Sequence, residues 1–382
     1  MSFKHLDISR GVNWVPALFI VIYQSILLLS LPFYLYYHPP GIGVVLAMTV
    51  LLYLSGLAIT AGYHRYFSHK AYKTYRPIEI ILLFFGSMAV QGSALRWSFD
   101  HRIHHAHVDT PNDPYSIEKG FWYAHFLWLF EKPKEIEPKV VGDLLQNPLV
   151  MFQHKFQIPL MIVTNAIAFF AVGWLFEDYL GAFVISLWLR MFCLHHFTWF
   201  INSLAHTWGD KPFSQEQSAV NNYVISLLTF GEGYHNYHHT FANDYRNGIR
   251  WYHFDPTKWL IYGLSLVGLT YNLRRIDKAS IQKRMVNERK SLLLEQLKKC
   301  WYVKREDLEK AVLETSEKVL SKLGEVQNLK NLYKKAKKEK ESREYLISLK
   351  RELKSLKKGL QADWKNWKKL AKTIMRMQAL PA

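Results

Sequence analysis

The chain has 382 residues, of which 49% are hydrophobic and 15% aromatic, and a formal net charge of +18. Its only cysteines are Cys193 and Cys300, which excludes a disulfide framework or a zinc ribbon. The charge is unevenly placed: Tyr271 to Ala382 carries 31 Lys+Arg against 14 Asp+Glu (+17), leaving 18 against 17 (+1) for the first 270 residues.

A mean hydropathy of only −0.09 then requires apolar stretches offset by polar ones, and two compositions predict two regions, 1–272 and 273–382. Trp14 to Tyr37 is apolar and almost uncharged, long enough to cross a bilayer core of ~30 Å at ~1.5 Å per residue. It is too long for a signal peptide and lacks a small-residue cleavage site. His38-Pro39-Pro40-Gly41 makes a turn, and Gly41 to Gly62 reads as a second span. Ile78 to Leu95 is shorter and breaks into Gln91, Gly92 and Ser93, as a buried or interfacial helix would. Ile158 to Phe176 and Tyr179 to Ser203 form a second apolar hairpin around Glu177 and Asp178, with Arg190 inside it facing protein. Pro256 to Tyr271 reads as an interfacial or packing helix.

Basic residues are missing from the turns near His38 and Glu177 but plentiful in the N-terminus, in Tyr63 to Gln157 and in the C-terminal region. The positive-inside rule therefore places both termini and the middle segment in the cytoplasm. Beyond Arg274, Leu349, Leu353, Leu356, Leu360, Trp364, Trp367, Ala371 and Ile374 follow one another at steps of four or three. That stripe predicts a solvated helix pair with an apolar seam, or a helix drawn to anionic headgroups. No nucleic-acid partner is expected.

Histidine carries the chemistry. Gly231-Glu232-Gly233-Tyr234-His235-Asn236-Tyr237-His238-His239 places three imidazoles at i, i+3 and i+4, on one face of a helix. The spacing recurs at His101, His104 and His105; His64 and His69 form another pair, and His206 stands in Asn202-Ser203-Leu204-Ala205-His206. Nine of 17 histidines fall in these four stretches, all on the cytoplasmic side of the expected topology. Nine are too many for a zinc hydrolase with three ligands and an open position, but they suit two metals with four or five each. A thiolate-free nitrogen set excludes iron–sulfur centres and disfavours calcium and magnesium. Two irons beside a membrane, open to dioxygen, suit oxidation of a lipid C–H bond. An architectural metal in a non-enzymatic membrane scaffold is the alternative.

Thr60-Ala61-Gly62-Tyr63-His64-Arg65-Tyr66-Phe67-Ser68-His69, Asp100-His101-Arg102-Ile103-His104-His105 and the stretches around His206 and His235 resemble the histidine boxes of integral-membrane fatty acyl desaturases. The likeness is to the stearoyl-CoA (delta-9) group, in particular its bacterial members. It runs through Gly120-Phe121-Trp122, Val150-Met151-Phe152-Gln153 and Phe254-Asp255-Pro256-Thr257-Lys258-Trp259, over roughly residues 12 to 285. It implies an all-α membrane protein: four transmembrane helices, a cytoplasmic helical cap holding a di-iron site, and a charged helical extension without counterpart in the family.

By the same resemblance His64, His69, His101, His104, His105, His206, His235, His238 and His239 ligate two irons, and Asn202 reaches one through water. His107, His125, His195 and His196 match no ligand. The activity implied is O2-dependent formation of a cis double bond in a saturated acyl chain; a hydroxylase or alkane monooxygenase is the enzyme alternative. Electrons would come from a separate cytochrome of the b5 type, or a ferredoxin with its reductase. Gln91 and Trp97 match residues lining the acyl tunnel, Leu52 and Gly56 residues closing its end, and Asp100 and Lys132 headgroup contacts. Phe99 stands where the animal enzymes hold CoA with an arginine. The substrate implied is acyl-CoA, with a phospholipid acyl chain second, in a bacterial inner membrane rather than the endoplasmic reticulum.

Overall fold

The computed structural model describes residues 9, 11–299 and 304–377; Lys4 and Arg10 of the basic N-terminus, and Cys300, lie outside them. The chain folds as two compact units, Met1–Lys211 with Glu216–Arg275, and Pro212–Gln215 with Ile276–Ala382.

In the first unit four helices are long and apolar enough to cross a membrane: Trp14–Tyr37, Ile42–Ser68, Gln157–Phe176 and Tyr179–His206. The spans present Leu29, Tyr36, Trp174 and Leu175 outward, as lipid-facing helices do. Arg190 is fully buried. Its guanidinium donates to Ser186 O (2.9 Å), Ser55 Oγ (3.0 Å), Met88 O (3.3 Å) and Asn165 Oδ1, which ties the second, third and fourth spans to the end of the Arg76–Met88 helix. A charge so placed needs all these acceptors, since water cannot reach it.

The expected helix Ile78–Leu95 is two elements. Arg76–Met88 ends where Val90 (φ 55°) and Gly92 (φ 84°) turn left-handed, and Ala94–His107 begins afresh. Ser93 caps the new helix, accepting from Arg96 N at 3.2 Å, and Gln153 Oε1 accepts from Ala94 N at 3.0 Å. Leu52, Ile59, Tyr63, Phe67, Leu95, Phe99, Leu194 and Phe230 form the core beneath this cap. Pro256–Leu266 has 11 residues, about 16 Å of helix, too short to span. A two-residue antiparallel pair, Lys73–Thr74 with Thr270–Tyr271, closes the cap.

The second unit holds three long helices, Lys278–Lys299, Arg305–Lys338 and Arg343–Met375, where the seam alone suggested two. Trp367, Ala371 and Ile374 pack with Val286, Leu293, Val312, Val319 and Leu323. Leu349, Leu353 and Leu356 pack with Leu329 and Ala336. The apolar stripe is therefore consumed by intramolecular packing. Arg284 donates to Phe213 O (2.8 Å) and Gln215 N to Glu288 Oε1 (2.6 Å), so Pro212–Gln215 belongs to this bundle.

Candidate metal centre

All nine box histidines converge, in two groups. His64, His69, His101, His105 and His238 form one; His104, His206, His235 and His239 form the other; within each, the possible ligand atoms lie within 4.8 Å of one another. The Nε2 atoms face each other at 2.8 Å (His69–His101), 2.9 Å (His64–His238 and His105–His238), 3.0 Å (His235–His239), 3.1 Å (His206–His235) and 3.3 Å (His104–His239).

Local winding sets this grouping. His64 and His69 are five apart, which an α-helix would turn well away from each other, but Ala58–Ser68 is π-helical and His69 N donates to His64 O at 3.1 Å. The wider turn returns both rings to one side. The two i, i+3, i+4 triplets do not each serve a single metal position. On an α-helix i and i+4 lie ~40° apart and i+3 lies ~60° the other way. In Ala94–His107 the outer pair, His101 and His105, joins the group of five, and His104 the group of four. In His235–Thr240 the outer pair, His235 and His239, joins the group of four, and His238 the group of five.

Side-chain oxygen atoms face the Nδ1 atoms of three of these rings. His104 Nδ1 lies 2.9 Å from Asp113 Oδ1 and His64 Nδ1 3.0 Å from Glu232 Oε2. His206 Nδ1 donates to Ser218 Oγ at 2.6 Å, and Ser218 donates in turn to Asp109 Oδ1 at 2.5 Å. A ring protonated on Nδ1 has only a lone pair on Nε2. Lone pairs brought to ~3 Å in a buried space repel unless a cation lies among them, and bonds of ~2.1 Å at right angles to one ion give that nitrogen spacing. Burial, then the neighbouring imidazoles, hold His69, His101, His105, His235, His238 and His239 well below the ordinary histidine range. They are neutral rings, as metal ligands must be. The donor set fits two transition-metal ions.

The carboxylates around these rings escaped the sequence. Glu232 Oε1 accepts from Arg65 at 2.8 Å while its other oxygen meets His64 and Asn247. Arg65 also donates to Asp255 (2.9 Å), which accepts from Asn247 N and Gly248 N (both 2.9 Å) and caps Pro256–Leu266 through Lys258 N (2.8 Å). Gly231, at φ 97°, passes so close to the Asp255 backbone that a Cβ would meet its Cα at 2.6 Å. The Gly-Glu-Gly signal before the last triplet and the Phe-Asp-Pro-Thr-Lys-Trp stretch were visible; that they meet through Arg65 was not.

Asn202 ends the helix Arg190–Asn202, half-buried, four residues before His206. Trp97 stacks on His101 with ring centroids 4.9 Å apart. Gln91 Nε2 donates to Thr198 Oγ1 at 2.9 Å. Leu52 shares the apolar core with Phe230, and Gly56 lies so close to Phe230 that a Cβ would run into its ring. Asp100 is buried and held by Arg96 (2.8 and 2.5 Å), while Lys132 is exposed beside Gly11. His107 is exposed; His125 contacts His196 (3.0 Å) and Ser203 (2.9 Å), apart from both groups.

Fold and site define a protein with four bilayer-length helices and a buried, all-imidazole centre fit for two metal ions. The profile of the fatty acid desaturase family matches residues 39–273, more than half of the chain, and the chain belongs to that family. A probable acyl-CoA desaturase of Schizosaccharomyces pombe is 46% identical over 63% of this chain and 50% of its own length. Acyl-CoA desaturase 1 of Saccharomyces cerevisiae is 37% identical over 73% and 55%. The chain thus spans about half the length of these fungal relatives. An sn-1 stearoyl-lipid 9-desaturase of Anabaena variabilis is 32% identical over 70% of this chain and 96% of its own. The expected likeness to bacterial members in particular is corrected: the fungal enzymes match at higher identity.

Proposed function

We propose that this chain is an O2-dependent desaturase that forms a cis double bond, at the delta-9 position, in a saturated acyl chain carried as acyl-CoA. The observation that supports it most is the pairing of five- and four-histidine groups in one buried cap. The relatives named for acyl-CoA substrates, and the family profile over residues 39–273, point to the same chemistry. The nine histidines would hold two irons, with Asn202 assisting through water; bound there, the irons supply the activation of O2 that removing two hydrogens from an alkyl chain requires. Two electrons and two protons balance the reduction of O2 to water, and a separate cytochrome b5-type protein, or ferredoxin with reductase, delivers the electrons.

The chain's own residues orient and exclude. Asp113, Glu232 and Ser218 keep His104, His64 and His206 aimed inward. Trp97 walls the five-histidine group, and the buried surroundings keep bulk water from an oxidising centre. Leu52, Gly56, Gln91 and Trp97 line the acyl path, and Asp100 and Lys132 face the headgroup. The termini and metal centre lie on the cytoplasmic side. Residues 1–272 are the catalytic domain and 273–382 an accessory helical domain.

Gas chromatography of lipids from a desaturase-deficient host expressing the chain tests this reading. Delta-9 monoenes are expected. Labelled oxygen from O2 in the lipid product would instead identify a hydroxylase or monooxygenase. Unchanged lipids, with no O2 consumed in the presence of reductant, would leave a metal-binding scaffold.

A further inference from the structure

In the last helix of the second unit, from Arg351 onward, the face turned away from its buried seam is basic. The seam of Arg343–Met375 runs through Leu349, Trp367, Ala371 and Ile374. About 180° around the helix lie Arg351, Lys354, Lys358, Lys365, Lys369, Lys372 and the capping Arg376, all exposed. At 100° per residue these seven fall within a sector of ~60°, along ~38 Å of axis. The acidic side chains of this stretch lie elsewhere: Asp363 pairs with Lys322 of Arg305–Lys338 at 2.6 Å, and Glu352 lines the groove with Glu325 and Leu356. Among the described residues none of the seven has an ion-pair partner.

A face kept only for solubility mixes its signs. Arg305–Lys338, in the same bundle, does so, with nine basic and six acidic residues. A straight, narrow row of seven cations matches a flat anionic surface. The same molecule carries four bilayer-length helices, so a bilayer is always at high effective concentration. We propose that the Arg351–Arg376 face is a docking surface for anionic lipid headgroups on the bilayer that holds the spans. The apolar seam is already buried in the bundle, so the helix cannot insert. Contact is purely electrostatic and reaches only about a Debye length, ~8 Å at physiological ionic strength.

The test uses the full-length protein in nanodiscs of phosphatidylcholine, with and without phosphatidylserine, and reads acylation of individual lysines by mass spectrometry. Lys354, Lys358, Lys365, Lys369 and Lys372 are expected to react about threefold or more slowly in the anionic discs, and to recover at ~1 M salt. Lys310 and Lys318, exposed on the mixed-sign helix, serve as controls and should be unaffected. In the doubly reversed variant R351E/R376E, whose changes lie opposite the seam, the protection should shrink while the fold is kept. Equal reactivity in the two bilayers overturns the proposal. So does slowing shared by Lys310 and Lys318, or unchanged protection in the variant. Stronger protection by added polyuridylate in neutral discs would assign the face to nucleic acid and also overturn it.

Discussion

At the scale of single residues the centre depends on imidazoles that must stay neutral and correctly aimed. His104→Ala, His206→Ala and His238→Ala should each abolish turnover while the protein still inserts in membranes. His107→Ala and His196→Ala should be mild, since neither belongs to a group. Normal turnover in two of the first three would remove the di-iron reading. Glu232→Gln and Asp113→Asn keep the shape but weaken the hold on the Nδ1 protons of His64 and His104. Loss of such supports costs about 10–100-fold in metal affinity or activity, measurable as iron retained through gel filtration. The lowered histidines also set a pH response. Their folded pKa values lie below the ordinary 6.5, so below that pH the unfolded chain binds protons the folded one refuses. The metal-free protein should therefore lose stability as pH falls below about 6.5 and show little dependence from this source above it, as denaturation at a series of pH values would record.

At the scale of elements, the packing of Phe230 on Gly56 links the second span to the loop before the last histidine triplet. Phe230 packs edge-on to Tyr53 at 5.3 Å and precedes Gly231 and Glu232. Gly56→Ile must push this ring aside. If Gly56 lies at the end of the acyl path, the product ratio from palmitoyl and stearoyl substrates should move towards the shorter chain, with iron content unchanged. An unchanged ratio in a folded variant would leave Gly56 as a close-packing position only. Much of this level was readable. The four apolar runs and the repeated triplets announce themselves because hydropathy and helical period are local properties. The winding that brings His64 to His69 and the link from Glu232 through Arg65 to Asp255 are not. They depend on residues up to 190 positions apart, and local spacing cannot specify such partners. The third helix of the second unit was missed for a related reason: Lys278–Lys299 is too charged for its short apolar face to stand out.

At the scale of the whole molecule, every histidine of the two groups lies before the second unit's helices. A chain ending near Lys290 keeps Arg284 and Glu288, which hold Pro212–Gln215, and should retain the proposed desaturase chemistry with the proposed purified donor. A truncated protein that is folded and metal-loaded yet inactive would give residues 291–382 a catalytic role. The sharing of the two triplets reaches furthest. Each short helix lends two rings to one group and one to the other, in opposite proportion. Withdrawing one ion frees rings on both helices, and each helix also anchors the ion left behind. Occupancy should therefore be close to all-or-none. Titration with a chelator should show both metal ions leaving in one steep step, with a Hill slope approaching two and almost no singly loaded protein by native mass spectrometry.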